Sequence, residues 1–244
     1  MLVKQKAKYI QTLGQKKFRQ QDKVFIAEGP KLLKEILETQ PAMINEIFAV
    51  KEWLEENKKA VRNITVTEIL QTELEKISQL TTPNKVLALV KQFEAGSKIS
   101  TKSKITLALD GIQDPGNLGT IIRIADWFGV EQIVCSNDSA DVYNSKVVQA
   151  TMGSIARVKV FYTDLNKWLG KQTNVRIYAT MLEGQDITGM NKISEGIIVF
   201  GNESKGIRDE ILQLVNVKIT IPKKGKAESL NIAVAAGIIL SQIC

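Results

Sequence analysis

A regular alternation of short apolar runs and helical patterns extends from Ile105 to the last residue of the chain. Each apolar run is typical of a buried strand, and each is followed by a segment with helical spacing. Near-continuous apolar strands that alternate with helices favour a mostly parallel sheet covered by helices on both faces. The predicted strands cover residues 105–109, 131–135, 156–161, 175–180, 196–200 and 217–221, and the predicted helices cover residues 117–128, 144–152, 163–170, 206–215 and 229–242.

A smaller α/β alternation precedes this region and ends near residue 93. It includes a predicted strand over residues 61–66, followed by a helix that Thr67 is expected to cap. Residues 94–104 are polar, rich in small side chains and nearly free of apolar ones, as is typical of a flexible linker. We therefore predict an α/β protein with a small domain over residues 1–93 and a larger one over residues 105–244.

The composition excludes several classes of catalyst. The 244 residues include no histidine, which removes Ser-His-Asp and Cys-His catalysis and most zinc sites. The two cysteines, Cys135 and Cys244, have no metal-binding spacing, and no apolar stretch is long enough to cross a bilayer. We expect no metal, no membrane partner and a reduced, cytoplasmic setting.

The net charge of +7 is a weak indication of a polyanionic partner, and its distribution is more informative. Basic side chains are concentrated at the amino terminus, before residue 24: Lys4, Lys6, Lys8, Lys16, Lys17, Arg19 and Lys23. This cluster favours contact with nucleic acid, although a solvated helix face with a frayed terminus is the alternative interpretation.

Small and polar residues follow three of the predicted strands, where a binding crevice in an α/β sheet would lie. They are not a phosphate-binding loop of the common type, because Ile207 occupies the position of the lysine after Gly201 and Gly206, and no GxGxxG pattern occurs. The turn at Asp114–Asn117 predicts that Asn117 caps the following helix, and capping alone would explain an asparagine at this position. Arg123 is harder to explain structurally, since it lies on a helix that is otherwise largely apolar.

The three segments resemble the motifs of the SpoU/TrmH family of RNA 2′-O-methyltransferases, in the SPOUT superfamily. They are Asp110–Gly119 (DGIQDPGNLG) with Arg123, Phe200–Gly206 (FGNESKG), and Ile221–Pro222 with Glu228–Ala235 (ESLNIAVA). The resemblance covers residues 105–244, and residues 1–93 less specifically resemble the ribosomal-protein-like substrate-binding domain of rRNA-modifying members. Lys223 departs from the family, which often has an apolar residue after Pro222.

The resemblance implies a carboxy-terminal trefoil knot, a homodimer and S-adenosylmethionine as the cofactor. It implies catalytic or substrate-contacting roles for four polar residues: Asn117, Arg123, Glu203 and Asn231. It implies cofactor contacts for Thr180, Met181, Gly201, Ile221, Ser229 and Leu230. For Arg123, activation of the ribose hydroxyl and anchoring of a phosphate with stabilisation of an alkoxide both remain open, and the high guanidinium pKa favours the second.

Structural roles remain alternatives for most of these residues. Glu203, Ser229 and Asn231 are also suited to helix capping, and Ile221 and Leu230 to core packing. The predicted activity is 2′-O-ribose methylation, most simply of 23S rRNA, because an added domain suits recognition of a folded RNA. The alternatives are a tRNA 2′-O-methyltransferase and a non-catalytic dimer that binds RNA or the ribosome.

Overall fold

The computed structural model describes residues 2–96 and 98–244. Met1, the start of the first predicted domain, and Ser97, within the predicted linker, lie outside the described residues. The described residues form ten α-helices: α1 (Lys4–Thr12), α2 (Lys16–Asp22), α3 (Pro30–Thr39), α4 (Lys51–Asn57), α5 (Gln71–Ile77), α6 (Pro115–Trp127), α7 (Ser145–Thr151), α8 (Leu165–Leu169), α9 (Asp209–Leu212) and α10 (Ile232–Ile243). They also form ten β-strands: β1 (Val24–Glu28), β2 (Ile44–Ala49), β3 (Val66–Glu68), β4 (Val86–Lys91), β5 (Ile105–Leu109), β6 (Gln132–Ser136), β7 (Lys159–Thr163), β8 (Ile177–Asp186), β9 (Gly196–Phe200) and β10 (Val217–Thr220).

The chain divides into two compact units. The first contains the residues up to Glu94 together with Asp141–Arg157, and the second contains Ala95–Ala140 and Val158–Cys244. This division differs from the predicted domains in one segment, because residues 141–157 pack with the amino-terminal unit. No helix of the described residues is long and apolar enough to span a membrane.

The first unit is built on a four-stranded sheet with the order β1-β4-β2-β3. Strand β4 is antiparallel to both of its neighbours, whereas β2 and β3 are parallel. Alternate residues of β1 face opposite sides of the sheet. Val24 and Ile26 join a buried cluster with α1 and α5, while the Phe25 ring lies 4.8 Å from the Tyr143 ring. Both faces of β1 are therefore covered, which explains its uninterrupted burial.

Residues 141–157 are tied to this unit by polar contacts as well as by packing. Arg19 is 3 % exposed and pairs with Asp141 at 2.5 Å, and it also donates to the carbonyls of Leu13 and Gly14. Gln149 Nε2 donates to the Glu28 carbonyl at 2.8 Å. Arg19 is thus a buried structural residue, so its assignment to a nucleic-acid-binding cluster was wrong.

The second unit contains a six-stranded sheet with the order β10-β8-β9-β5-β6-β7. All five strand pairs are parallel, which confirms the sheet expected from the alternation of strands and helices. One apolar face, which includes Ala108, Val134 and Val199, packs against residues of α8 and α9. Helices α6 and α10 pack against each other in the same unit.

Several predicted elements differ from the structure in their bounds. Helix α6 begins at Pro115 because Asp114 caps it, so the prediction of Asn117 as the cap was wrong. Helix α9 begins only at Asp209, after Gly206 adopts a φ of 69° that interrupts helical geometry. Residues 61–64 form a turn in which Ile64 N donates to the Val61 carbonyl, and Thr67 lies within β3 and caps no helix.

The predicted linker is partly anchored in the second unit. The Ser100 carbonyl accepts a hydrogen bond from Gln132 Nε2 at 2.6 Å, and Ile99 packs against the apolar face described above. Thr101 Oγ1 lies 3.3 Å from Gln172 Oε1. These contacts hold residues 99–101 of the predicted linker against the second unit.

Candidate active site

The strand order of the second unit predicts a ligand crevice at the carboxyl ends of β5 and β9. The chain leaves β5 toward β6 on one side, whereas β9 and β8 lie on the other, so the strand order reverses at this point. Ligands of open α/β sheets bind outside the carboxyl ends of the strands at such a reversal. Leu109 and Phe200 are paired at these strand ends, and Asp110 N donates to the Phe200 carbonyl at 2.8 Å.

Three polar side chains from the three predicted motifs meet at this crevice. Asn117 Nδ2 donates to Glu203 Oε1 at 2.7 Å, and Asn231 Nδ2 donates to Asn117 Oδ1 at 2.9 Å. Asn117 is half-buried, while Glu203 and Asn231 are exposed. Asn117 lies in the first turn of α6, where its own N–H donates to the capping Asp114 carboxylate. The structure therefore joins residues that are more than eighty positions apart in the chain.

Asn231 serves two roles at once. Its Oδ1 accepts from the N–H groups of Ala233 and Val234 and so caps α10, while its Nδ2 remains available for Asn117. Glu203 caps nothing, because α9 begins only at Asp209. Ser229 is exposed and lies before the cap of α10, so the capping alternative does not apply to it.

Arg123 lies on α6 but outside the hydrogen bonds that join these three residues. It lies six positions after Asn117, which turns its side chain about 120° around the helix from that of Asn117. It is exposed, and within residues 2–96 and 98–244 its guanidinium makes no hydrogen bond or ion pair. Trp127, one turn further along the same face, is 84 % exposed. The charge of Arg123 is therefore free to meet a ligand.

The residues expected to contact a cofactor lie in strand β8 and in the two loops that follow β9 and β10 of the same unit. Thr180 and Met181 are half-buried and lie where β8 loses its pairing with β10, whose register moves from Ala179 to Gln185 between consecutive residues. Ile221 is half-buried and Leu230 is exposed. Gly201 is buried, and a Cβ atom at this position would lie 2.3 Å from the Gly206 carbonyl carbon. Glycine is therefore required here by the fold of the loop itself.

The chemistry of these loops fits an adenosine-type cofactor. Within the described part of the chain, the main-chain groups of residues 221–230 form no hydrogen bond with other main-chain groups. Apart from the Ile221 carbonyl, which accepts a hydrogen bond from Thr220 Oγ1 at 3.4 Å, these donors and acceptors are available to a base, and Ile221 and Leu230 supply apolar side chains in the same segment. No group of three or more Cys, Asp and Glu side chains among the described residues could hold a metal ion.

A second polar network beneath the crevice was missed at the level of sequence. Asp110 is 1 % exposed and receives hydrogen bonds from Arg208, whose guanidinium also lies 3.6 Å from Asp138. The bond to Asp110 raises the pKa of Arg208, and a hydrogen bond from Ser136 lowers the pKa of Asp138. Asp110 stands in the first motif, but nothing in the sequence pairs it with an arginine 98 residues later.

Comparison with known proteins agrees with this geometry. The model of the SpoU rRNA Methylase family matches residues 104–241, and that of the MRM3-like substrate binding domain matches residues 4–88. The chain belongs to the SpoU rRNA methylase family. The family match spans more than half of the chain and contains all three motifs that build the crevice.

Three relatives show how far the similarity extends. The chain is 30 % identical to the 23S rRNA (guanosine(2553)-2′-O)-methyltransferase RlmP of Bacillus subtilis, over 97 % of this chain and 94 % of that protein. A TrmH-family structure from Porphyromonas gingivalis is 32 % identical with a TM-score of 0.86, covering 99 % of this chain and 98 % of that one. The AdoMet-bound rRNA methyltransferase of Sinorhizobium meliloti is 29 % identical with a TM-score of 0.84, covering 99 % and 95 %.

Proposed function

We propose that this SpoU-family protein transfers a methyl group from S-adenosylmethionine to a ribose 2′-hydroxyl of 23S rRNA. The observation that carries the proposal is the hydrogen-bonded set Asn117–Glu203–Asn231, which joins the three motifs at the reversal of strand order. An rRNA substrate also fits the RlmP relative, which matches nearly the whole chain, and the proposed location of the reaction is the cytoplasm.

The cofactor, when bound, supplies the methyl group, and the residues of this chain position the acceptor. Thr180, Met181, Gly201, Ile221, Ser229 and Leu230 are the residues proposed to hold the cofactor. Glu203 Oε1 is occupied by Asn117, which leaves Oε2 to accept a hydrogen bond from a ribose hydroxyl. Asn231 keeps Asn117 in the orientation that holds Glu203.

Arg123 is proposed to act as a permanent cation. A guanidinium loses its proton only above about pH 12, so Arg123 is poorly suited to remove the hydroxyl proton. A fixed positive charge can bind the target phosphate and stabilise the oxygen as it becomes negative. The exposure of Arg123 and its lack of an ion-pair partner among the described residues support this role.

The test is methyl transfer itself. The purified protein is incubated with radiolabelled S-adenosylmethionine and separate pools of unmodified rRNA, tRNA and large ribosomal particles, and the labelled nucleoside is identified after digestion. A 2′-O-methylated nucleoside from 23S rRNA, free or in the particle, supports the proposal. Label confined to tRNA would show that the substrate is tRNA and not 23S rRNA. Absence of label from every pool, despite cofactor binding, would overturn the enzymatic function.

We further propose that the first unit binds RNA through its exposed amino-terminal lysines. Lys6 pairs with Glu46 and Arg19 is buried, which leaves the exposed members of the basic cluster, namely Lys4, Lys8, Lys16, Lys17 and Lys23. Replacing four of them with glutamine should weaken RNA binding and reduce the slope of its salt dependence by about one unit for each phosphate that no longer meets a lysine. The control carries the same charge change at Lys31, Lys51, Lys58 and Lys59, which are also exposed.

A homodimer and a trefoil knot are the remaining parts of the proposal. Trp127 of α6 and Val234 of α10 are exposed apolar side chains on two helices that pack together, which supports a dimer through this face. Sedimentation equilibrium of Trp127→Lys tests it, with Leu182→Lys as an exposed control.

Ile193 N donates to the Ile243 carbonyl at 2.7 Å, so the end of α10 lies beside the β8–β9 connection, which supports the knot. An experimental electron-density map tests the threading.

A further inference from the structure

The Asp110 carboxylate and Arg208 form a partly buried pair below the crevice. Arg208 N donates to Asp110 Oδ2 at 2.9 Å and Arg208 Nε donates to Oδ1 at 2.7 Å, while Nη2 also contacts Oδ1. The side chain of Asp110 is 1 % exposed and that of Arg208 is 45 % exposed. Both carboxylate oxygens are therefore satisfied by one residue, through its main chain and its side chain together.

The pair holds one end of the loop that carries Glu203. Asp110 directly follows β5, and Arg208 ends the segment that follows β9, so the pair joins the two strands that border the crevice. A lysine could not replace this contact, because only the planar fork of arginine presents several N–H groups to one carboxylate.

The other end of the same loop is held independently. Asn202 Nδ2 donates to the Gly111 carbonyl at 2.7 Å, and the main chains of Asn202 and Gly206 exchange two hydrogen bonds of 2.9 Å. Asn202 Oδ1 accepts from the N–H groups of Ser204 and Lys205. Glu203 thus projects from a loop fixed on both sides to the Asp110–Gly111 turn.

We propose that Asp110 and Arg208 are a positioning pair, which acts through the loop to keep Glu203 at the distance where it binds Asn117 and the ribose. This inference rests on the proposed methyl transfer. It predicts that loss of the pair disturbs the reaction far more than it disturbs binding, because neither Asp110 nor Arg208 lies among the residues proposed to contact the substrate or the cofactor.

The experiment compares full-length Arg208→Gln, Arg208→Lys and wild-type protein. Lys104→Gln is the matched control, because Lys104 pairs with Glu131 and its side chain has the same exposed fraction of 45 %, but the Glu131 partner is 67 % exposed. We expect kcat of Arg208→Gln to fall roughly tenfold or more, with KM for RNA and Kd for S-adenosylmethionine changed less than about threefold. Arg208→Lys should recover little of the loss, and Lys104→Gln should match wild type.

A second readout does not depend on activity. Hydrogen–deuterium exchange of the peptide covering residues 201–207 should accelerate about tenfold or more in Arg208→Gln and stay unchanged in Lys104→Gln. The double variant Asp110→Asn/Arg208→Gln avoids leaving a buried carboxylate unpaired, and it should show the same accelerated exchange in a folded protein.

Several outcomes would overturn the inference. It fails if loop exchange in Arg208→Gln and in the double variant equals that of wild type, whatever the activity. It also fails if kcat stays within about twofold of wild type, or if kcat, cofactor affinity and melting temperature fall together, as for a general structural residue. If wild-type protein transfers no methyl group, the proposed function fails, and the loop exchange still decides whether the pair fixes the loop.

Discussion

Asn117 joins two distant segments through the two ends of one side-chain amide. Its Nδ2 donates to Glu203 and its Oδ1 accepts from Asn231, and its position in the first turn of α6 also suits a carboxylate. The helix would accept aspartate at this position as well as asparagine, but only asparagine can donate a hydrogen bond to Glu203.

Asn117→Asp should accordingly leave the fold intact and impair the reaction. We expect the free energy of unfolding to change by less than about 1 kcal/mol, since the helix dipole offsets repulsion from an exposed Glu203. We expect kcat to fall at least about tenfold, because Glu203 loses its hydrogen bond and gains a like charge nearby. Urea denaturation and methyl transfer measure the two effects, and unchanged kcat would exclude a role for the Asn117–Glu203 bond.

Arg123, unlike Asn117, makes no hydrogen bond or ion pair within the described residues, so we expect it to contribute little to the stability of the fold. Arg123→Ala should keep the melting temperature and the cofactor affinity of wild type, since an exposed, unpaired side chain changes stability by less than about 0.5 kcal/mol. Methyl transfer should be lost. Arg176→Ala, at another exposed arginine of the same unit, is the control and should remain active. Wild-type turnover by Arg123→Ala would contradict the catalytic role.

At the scale of elements, the loop after β9 depends on a close approach of two backbones. A methyl group at Gly201 would lie 2.4 Å from Ile207 N, whereas one at Gly225 would meet nothing within 4 Å. Gly201→Ala should therefore cost about 1–3 kcal/mol of unfolding free energy, as other overpacked sites do. Gly225→Ala should stay within about 0.5 kcal/mol of wild type. Equal stability of the two variants would show that the loop does not approach itself so closely.

The end of β1 carries a buried carboxylate whose ionisation opposes folding. Burial raises the pKa of Glu28 above its ordinary value of 4.5, although bonds from the Ser78 hydroxyl and from Gln79 N lower it. A raised pKa in the folded state means that the contribution of Glu28 to stability is greatest below pH 4.5 and is lost as the pH rises through the raised value.

Glu28→Gln should remove this dependence on pH. We expect the unfolding free energy of the variant, relative to wild type, to increase as the pH rises from about 4 to about 7. Urea denaturation across this range measures the difference, in which the titration of other carboxyl groups cancels. A difference that is constant or decreases with pH would contradict the raised pKa.

At the scale of the whole molecule, one segment belongs to a different unit from its neighbours in sequence. Residues 141–157 lie between β6 and β7 in the chain but pack with the amino-terminal residues. A fragment that begins near Ile105 would remove Arg19 and Phe25, which contact Asp141 and Tyr143. The role of the first unit in RNA binding is therefore tested more cleanly by surface substitutions in the full chain.

Asp141→Asn should show how strongly this segment is held. Arg19 would remain buried without a counter-charge, with only neutral hydrogen-bond partners, so we expect a loss on the order of 3 kcal/mol in unfolding free energy. Asp164→Asn, which breaks the exposed pair with Lys167, should cost less than about 1 kcal/mol. Chemical denaturation of both variants measures this contrast, and similar costs would mean that the Arg19–Asp141 pair is solvated.

The features of the fold that depend on local sequence pattern were predictable from the sequence alone. Apolar runs and helical spacing were sufficient for the parallel six-stranded sheet, because burial on both faces leaves a signal in every strand. The resemblance, rather than local pattern, placed Asn117, Glu203 and Asn231 in one predicted site, and the structure then supplied the hydrogen bonds that join them. The roles of the six residues proposed to hold the cofactor stay predictions.

Tertiary structure alone decided which distant residues became partners. From the sequence, Arg19 is one of several basic residues near the amino terminus, whereas the structure pairs it with Asp141. Arg208 likewise has no predicted role, whereas the structure pairs it with the Asp110 carboxylate. Sequence periodicity records which side of an element is buried, but a pair formed across about 100 residues depends on how the elements pack, and no local pattern encodes that.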